Sequence, residues 1–179
     1  GDAAHDGGRA GRSSGSAQRM NRPRTLVLMR HGKSGYPPGT GDHGRPLAQR
    51  GRREAALAGR WMSDEGLHID AVLCSSSTRT RETLQYTGID APVTYLDEIY
   101  GGTPFDVLEA VRVYAPAQAR TVLVVGHEPG MPETALTLDP DGDIDRFPTS
   151  AYAVVAVGDP WACLLYTSPS PRDATLSRM

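Results

Sequence analysis

Three short stretches carry side chains that could together do chemistry on an anion. Arg30, His31 and Gly32 put a guanidinium and an imidazole beside one glycine, and His127 stands between Gly126 and Gly130 in a second such stretch. Between them in sequence, Ser75, Ser76, Ser77 and Thr78 lead into Arg79, Arg81 and Thr83. Imidazole is the side chain whose charge is most easily set near neutral pH. Guanidinium is a planar fork of donors matched to phosphate or carboxylate oxygens. Taken alone, a histidine that follows a strand is ordinarily structural. Two of them, with an arginine-bearing segment between, point to a shared site. Arg79 and Arg81 fall in the first turn of an expected helix, where positive charge opposes the macrodipole. An anion at that helix end would remove the conflict, because free N–H groups and arginine would face it together. The alternative is that both arginines are solvated, and Arg79 is the one favoured for function.

The elements around these stretches would bring them to one edge. Residues 25–29 form an apolar, β-prone run that reads as a buried parallel strand ending at Arg30 and His31. Open α/β sheets bind ligands at the C-terminal edge of their strands. A Gly/Pro-rich loop, 33–46, follows; its Asp42, His43 and Arg45 either line the site mouth or face solvent. The spacing predicts a helix over 49–65, with Leu57 and Trp61, and Ala58 and Met62, as i,i+4 pairs on its inner face and Gly66 ending it. A second strand, 71–75, runs into a helix capped by Ser77 or Thr78. Strand 93–96, a loop at 97–102 and a helix opened by Thr103 and Pro104 come next, with Val107, Leu108 and Val111 facing the core. The run 120–125 is the clearest strand, buried on both faces, and delivers His127. A short helix over 131–138 and a last strand over 151–157 complete the pattern. The acidic turn 139–145 lacks the ligand spacing of a calcium loop.

Composition narrows the function classes. The chain has 179 residues, 39% of them hydrophobic and 22% charged, with a net charge of -2. That suits one α/β domain with a real core and gives no reason to expect nucleic acid or a membrane surface as partner. No apolar run reaches the length of a membrane span, and no signal-peptide pattern opens the sequence. Cys74 and Cys163 are far apart with no CxxC spacing, which argues against a disulfide scaffold and fits a reducing cytoplasm. Residues 1–19 are expected to be a disordered, non-native leader before Met20, and His5 within them has no assigned role. A single domain is expected over 20–162. Residues 163–179 read as an irregular tail, similar to translated vector sequence, with at most a short strand at 164–167. Such a tail would leave a sheet edge poorly covered.

In this order and context the stretches resemble the histidine phosphatase superfamily, whose fold is shared with phosphoglycerate mutases. Within it they are most similar to the short bacterial branch of SixA-like phosphohistidine phosphatases. The resemblance runs from Thr25 to Val157. Arg30, His31 and Gly32 match the signature of the nucleophilic histidine, Arg79 falls on the phosphate-binding arginine, and the segment from Val125 to Gly130 matches that of the second histidine. Arg45, Pro46 and Leu47, with Arg50 and Gly51, match a further motif of the short branch, and Phe147 to Ala151 resemble its segment before the late strand. Ser76 stands where the family commonly has proline. The strand–helix alternation predicts a doubly wound α/β fold. The resemblance makes it a three-layer, mostly parallel sheet with helices on both faces.

The resemblance implies a metal-free phosphatase without cofactors. His31 would attack as neutral imidazole and become a phosphohistidine intermediate, its other nitrogen donating to a fixed acceptor. Arg30 and Arg79 would hold the phosphoryl oxygens, and His127 would donate to the charge that grows on them. Arg45 is a lesser candidate for the pocket rim. Glu98 is a candidate general acid, with a solvent-facing loop charge as the alternative. A phosphohistidine substrate eases the need for an acid, since the conjugate acid of imidazole has a pKa of about 6.5. Only one helix fits between Gly102 and Arg120, so no long insert roofs the site. The expected partner is a phosphohistidine-bearing signalling or phosphotransfer protein, met in the cytoplasm by a monomeric bacterial enzyme. The alternatives are a phosphomonoesterase of small metabolites, an inactive phosphoprotein-binding module, and a metal hydrolase built on His31, Asp42, His43 and His127. The last has no supporting HxH or HExxH spacing.

Overall fold

A computed structural model describes residues 23–164 and 175–177. The apolar run becomes β1 (Arg24–Arg30), one of the central strands of the sheet. The other strands are β2 (Ala71–Ser75), β3 (Val93–Leu96), β4 (Thr121–Gly126), β5 (Tyr152–Val157) and β6 (Thr175–Ser177). Their order is β3-β2-β4-β1-β5-β6. The four strands from β3 to β1 are parallel, while β5 runs antiparallel to β1 and β6 antiparallel to β5. The fold is thus α/β with a mostly parallel sheet, as the alternation of elements predicts.

Alternate residues of the central strands face opposite layers. Leu26, Leu28, Leu73, Val122 and Val124 pack on α3 (Pro104–Tyr114) and α4 (Gly130–Leu138) through Val107, Leu108, Val111, Met131 and Ala135. Val27, Met29, Val72, Cys74, Leu123 and Val125 face α1 (Gln49–Asp64) and α2 (Thr78–Thr87) through Ala58, Met62 and Leu84. Helices therefore cover both faces of the sheet. The capping box expected for α3 is present: Thr103 Oγ1 accepts from the Asp106 amide and Asp106 Oδ2 accepts from the Thr103 amide.

Two expectations are corrected. The inner face of α1 is Gly51, Ala55, Ala58, Gly59 and Met62, whereas Leu57 and Trp61 lie half-buried beside it. The small residues win because α2 comes very close: a Cβ on Gly59 would stand 2.1 Å from the Thr87 carbonyl oxygen. The core also runs beyond residue 162. Leu164 is fully buried in it and its carbonyl accepts from Arg112, while β6 pairs along the outer edge of β5. Leu164 closes the turn Trp161–Cys163, and the rest of the strand expected at 164–167 lies outside the described residues, as does the leader 1–19.

The loop after β1 is pinned by two glycines in contact. A Cβ on Gly32 would lie 2.9 Å from the Gly51 carbonyl oxygen, and one on Gly51 would lie 2.1 Å from that of Lys33. No flexible side chain is available to yield, so Gly51→Ala should destabilise the protein by about 1–3 kcal/mol and lower activity by shifting the residues beside His31. Denaturant midpoints and turnover measured together check this; an unchanged midpoint would contradict the close approach.

Candidate active site

All four parallel strands deliver a residue to the same edge. β1 ends at Arg30 and His31, β2 at Ser75, β4 at Gly126 and His127, and β3 leads through a short turn, Asp97–Ile99, to Tyr100. Arg30 pairs with Gly126 in the β1–β4 ladder, so His31 and His127 follow adjacent positions of neighbouring strands. Their ring centroids are 5.3 Å apart, tilted by 58°. Both are nearly buried, at 9% and 8% exposure.

Each side chain is held by a named partner. His31 Nδ1 lies 2.7 Å from the Gly32 carbonyl oxygen, which can only accept; Nδ1 therefore carries the proton and Nε2 keeps its lone pair. His127 Nε2 lies 2.8 Å from Ser75 Oγ, and its Nδ1 faces Arg79 Nη2 at 3.4 Å. Arg79 is only 7% exposed although it lies in the first turn of α2, a helix whose N-cap Ser77 makes no side-chain cap and whose first turn has no acidic residue. Thr83, one turn on, accepts from the Gly32 amide at 2.8 Å and donates to the Arg79 carbonyl at 2.7 Å, so it ties the end of β1 to the arginine-bearing turn. Arg30 donates to the Phe147 carbonyl at 3.0 Å and pairs with Glu128 at 2.8 Å. The Nε atoms of both Arg30 and Arg79 are buried without a hydrogen-bond partner among the described residues. Buried donors are normally paired, so these two stand out as unsatisfied.

The loop after β1 closes over Arg79 from outside. Asp42 Oδ2 accepts from Arg79 Nη2 at 3.1 Å and from the Tyr100 hydroxyl, its Oδ1 accepts from Arg45 Nη1 at 2.9 Å, and its carbonyl accepts from Arg79 Nη1 at 2.7 Å. His43 Nε2 lies 3.0 Å from Ser76 Oγ, whose hydroxyl donates to Asp97. Tyr100 sits between the rings of His43 and His127, at 4.9 Å and 5.4 Å between centroids.

Electrostatics keep both histidines neutral. Burial, helped by the charges of Arg79, Arg30 and Arg45, pushes His31 down to about 4 against the bond to Gly32. Burial, with His31 and Arg79 close by, takes His127 down to about 3. An unfolded chain would protonate both near 6.5. The unfolded state therefore binds the extra protons as pH falls below 6.5, and the stability present above that pH declines toward about 4. Imidazole nitrogen NMR should show His31 neutral, protonated on Nδ1, from pH 7 down to about 4. A midpoint near 6.5 would contradict this.

The structure thus gathers four of the residues singled out from sequence: Arg30, His31, Arg79 and His127. Arg45 stands at the rim, joined to Asp42, to the Gly35 carbonyl and to Ser34. Glu98 is exposed, and among the described residues no side-chain contact joins it to the other four. Arg81 lies outside the site, over the Tyr95 ring at 3.9 Å. Four contributors went unsingled: Tyr100, Ser75, Thr83 and Glu128. Ser75 and Thr83 lay within the arginine motif and Glu128 beside His127, but only packing reveals their partners. Among the described residues no three of His, Cys, Asp or Glu are placed to hold a metal ion, so the set weighed for a metal hydrolase does not form one.

The sheet edge thus gathers two neutral imidazoles, the buried guanidinium of Arg79 and the half-buried one of Arg30, an arrangement suited to an oxyanion. The profile of the histidine phosphatase superfamily, branch 1, matches residues 26–100. An uncharacterised protein of Mycobacterium tuberculosis is 46% identical over 143 residues, 75% of this chain and 90% of that protein. The chain belongs to the histidine phosphatase superfamily and is a phosphatase. A solved structure from Nakamurella multipartitia, provisionally named phosphohistidine phosphatase SixA, is 39% identical. It superposes with a TM-score of 0.76 over 87% of this chain and 94% of that one. A protein histidine phosphatase SixA solved with tungstate is 28% identical, with a TM-score of 0.64 over 73% of this chain and 86% of that one. Within the superfamily the chain is SixA-like. No helix among the described residues is long and apolar enough to cross a membrane.

Proposed function

We propose that this phosphatase removes the phosphoryl group from phosphohistidine on a cytoplasmic signalling or phosphotransfer protein, through a covalent phosphohistidine on His31. The observation that carries the reading is the pairing of a neutral His31, whose Nδ1 proton is committed to the Gly32 carbonyl, with the buried guanidinium of Arg79 and the half-buried one of Arg30, whose Nε donors are unpaired among the described residues. Nε2 of His31 attacks phosphorus in line with the leaving nitrogen, and Arg30 and Arg79 take the equatorial oxygens. Arg79 Nη2 then turns from His127 Nδ1 to the phosphoryl group. With Ser75 donating to Nε2, His127 can carry its proton on Nδ1 and offer it to the growing negative charge. Water hydrolyses the intermediate and restores His31. Charge stabilisation comes from arginine and histidine, so no step calls for a metal.

Two further points favour phosphohistidine over a phosphate ester. SixA proteins bearing that name are among the similar structures, and one of them holds tungstate, a tetrahedral oxyanion. The other is that the carboxyl groups touching the four central residues, Asp42 on Arg79 and Glu128 on Arg30, are each ion-paired to a guanidinium and so poorly suited to hand a proton to an alkoxide. Parallel turnover assays in excess chelator on a histidine-phosphorylated protein and on sugar phosphates test the reading. Faster turnover of the phosphohistidine protein is expected. Preference for the sugar phosphates would replace it with the metabolite phosphomonoesterase, and no turnover of either with the binding module.

A further inference from the structure

In-line transfer sets the leaving atom on the far side of phosphorus from the nucleophile. His31 lies on the floor of the site, so the leaving group faces the mouth, where Asp42, His43 and Tyr100 stand. The Asp42 side chain is 55% exposed there. Its carboxylate already takes three donors, from Arg45, Arg79 and Tyr100. A carboxylate has about four lone-pair positions, so one is open to a donor arriving from the mouth.

We propose that Asp42 accepts a hydrogen bond from the protonated imidazole ring of the phosphorylated substrate and thereby selects a cationic leaving group over an anionic one. This rests on the phosphohistidine reading. The Tyr100 and Arg45 hydrogen bonds hold the Asp42 carboxyl well below the usual carboxylate range, while the bond to Asp42 pushes the Tyr100 hydroxyl up. Neither Asp42 nor Tyr100 is therefore a proton donor near neutral pH, and a leaving group that brings its own proton needs neither. A ring protonated on the nitrogen not bonded to phosphorus is such a group. The P–N bond breaks, its electron pair stays on the ring nitrogen, His31 Nε2 forms the new bond to phosphorus, and the ring departs as neutral imidazole. The Asp42 anion favours the protonated ring over the neutral one and so extends its reactive form to higher pH. An alkoxide or phenolate would instead gain negative charge beside a fixed carboxylate. The groups facing the leaving ring are Asp42, His43, Tyr100, Arg79 and His127, with Arg45 behind Asp42 and Asp97 one hydrogen bond further, through Ser76.

The test is Asp42→Asn, which keeps an acceptor oxygen for Arg79 and Tyr100 but removes the charge, compared with Tyr100→Phe, which removes a hydrogen bond and keeps it. In the pH profile of kcat/KM for a histidine-phosphorylated protein, D42N should move the alkaline limb to lower pH. On the alkaline side of neutrality it should slow that substrate roughly 10- to 100-fold more than p-nitrophenyl phosphate, the scale of one charge-assisted hydrogen bond. Y100F should leave the limb in place. An alkaline limb unmoved by D42N, with both substrates slowed alike, overturns the proposal and leaves Asp42 as a prop for Arg79. Absence of phosphohistidine turnover in the unaltered protein is a separate outcome that removes the underlying reading as well.

Discussion

His31→Ala should lower turnover of a histidine-phosphorylated protein by about 10⁴-fold or more and abolish the acid-labile phosphate that the unaltered protein carries after rapid quenching. No other side chain can take over. His127 is the nearest imidazole, but its two nitrogens are engaged by Ser75 and Arg79, and its ring centroid lies 5.3 Å away. The substitution should leave the fold intact, because the backbone of His31 is what the structure uses: its amide donates to the Gly126 carbonyl and its carbonyl accepts from the Ser150 amide. Removing a ring held near pKa 4 also removes an acid-sensitive group, so the variant should resist unfolding between pH 6.5 and 4 slightly better than the parent. Retained turnover together with retained label would contradict the role given to His31.

Arg79→Ala is the second large effect, with about a 10³-fold loss in kcat/KM expected from removal of a guanidinium that faces transferring phosphoryl oxygens. Arg79→Lys should recover little of it. The lysine ammonium keeps the charge but cannot reproduce the fork that reaches the Asp42 carbonyl, the Asp42 carboxylate and His127 from one side chain. Arg79→Ala removes the guanidinium facing the oxyanion and leaves Asp42 held by Arg45 and Tyr100 alone, so binding of phosphate or tungstate should weaken along with turnover. Titration of tungstate against both variants checks this, and affinity equal to that of the parent would place the oxyanion elsewhere.

What was legible in the sequence follows from which forces act locally. Buried parallel strands need apolar residues on both faces, so β1, β2 and β4 stand out as runs, and the chemistry sits where each run stops. The helix opened by Thr103 and Pro104 carries its own start signal. The face of α1 was misread because large apolar residues dominate a periodicity, and here glycine and alanine make the contact. Gly59 is buried not for its side chain but for the Thr87 backbone that passes over it. The rim was the least legible part. Asp42 is 37 positions from Arg79 and 58 from Tyr100, and nothing in their immediate surroundings signals those bonds. Leu164 was read as the start of a short strand in an irregular tail rather than as core, because the prolines and serines that follow it suggest an end to the core.

The pairing of Arg30 with Gly126 has a consequence for how the protein fails under stress. The separation of the two imidazoles is set by a backbone ladder between interior strands, not by a loop. Fraying of the peripheral turns, including the one that bears Asp42, would leave that separation untouched. The reacting pair can part only when the middle of the sheet shears, which is the event of global unfolding. On slow heating, the spacing of His31 and His127 should persist until the whole molecule melts, and the amide protons last to exchange should be those of β1 and β4.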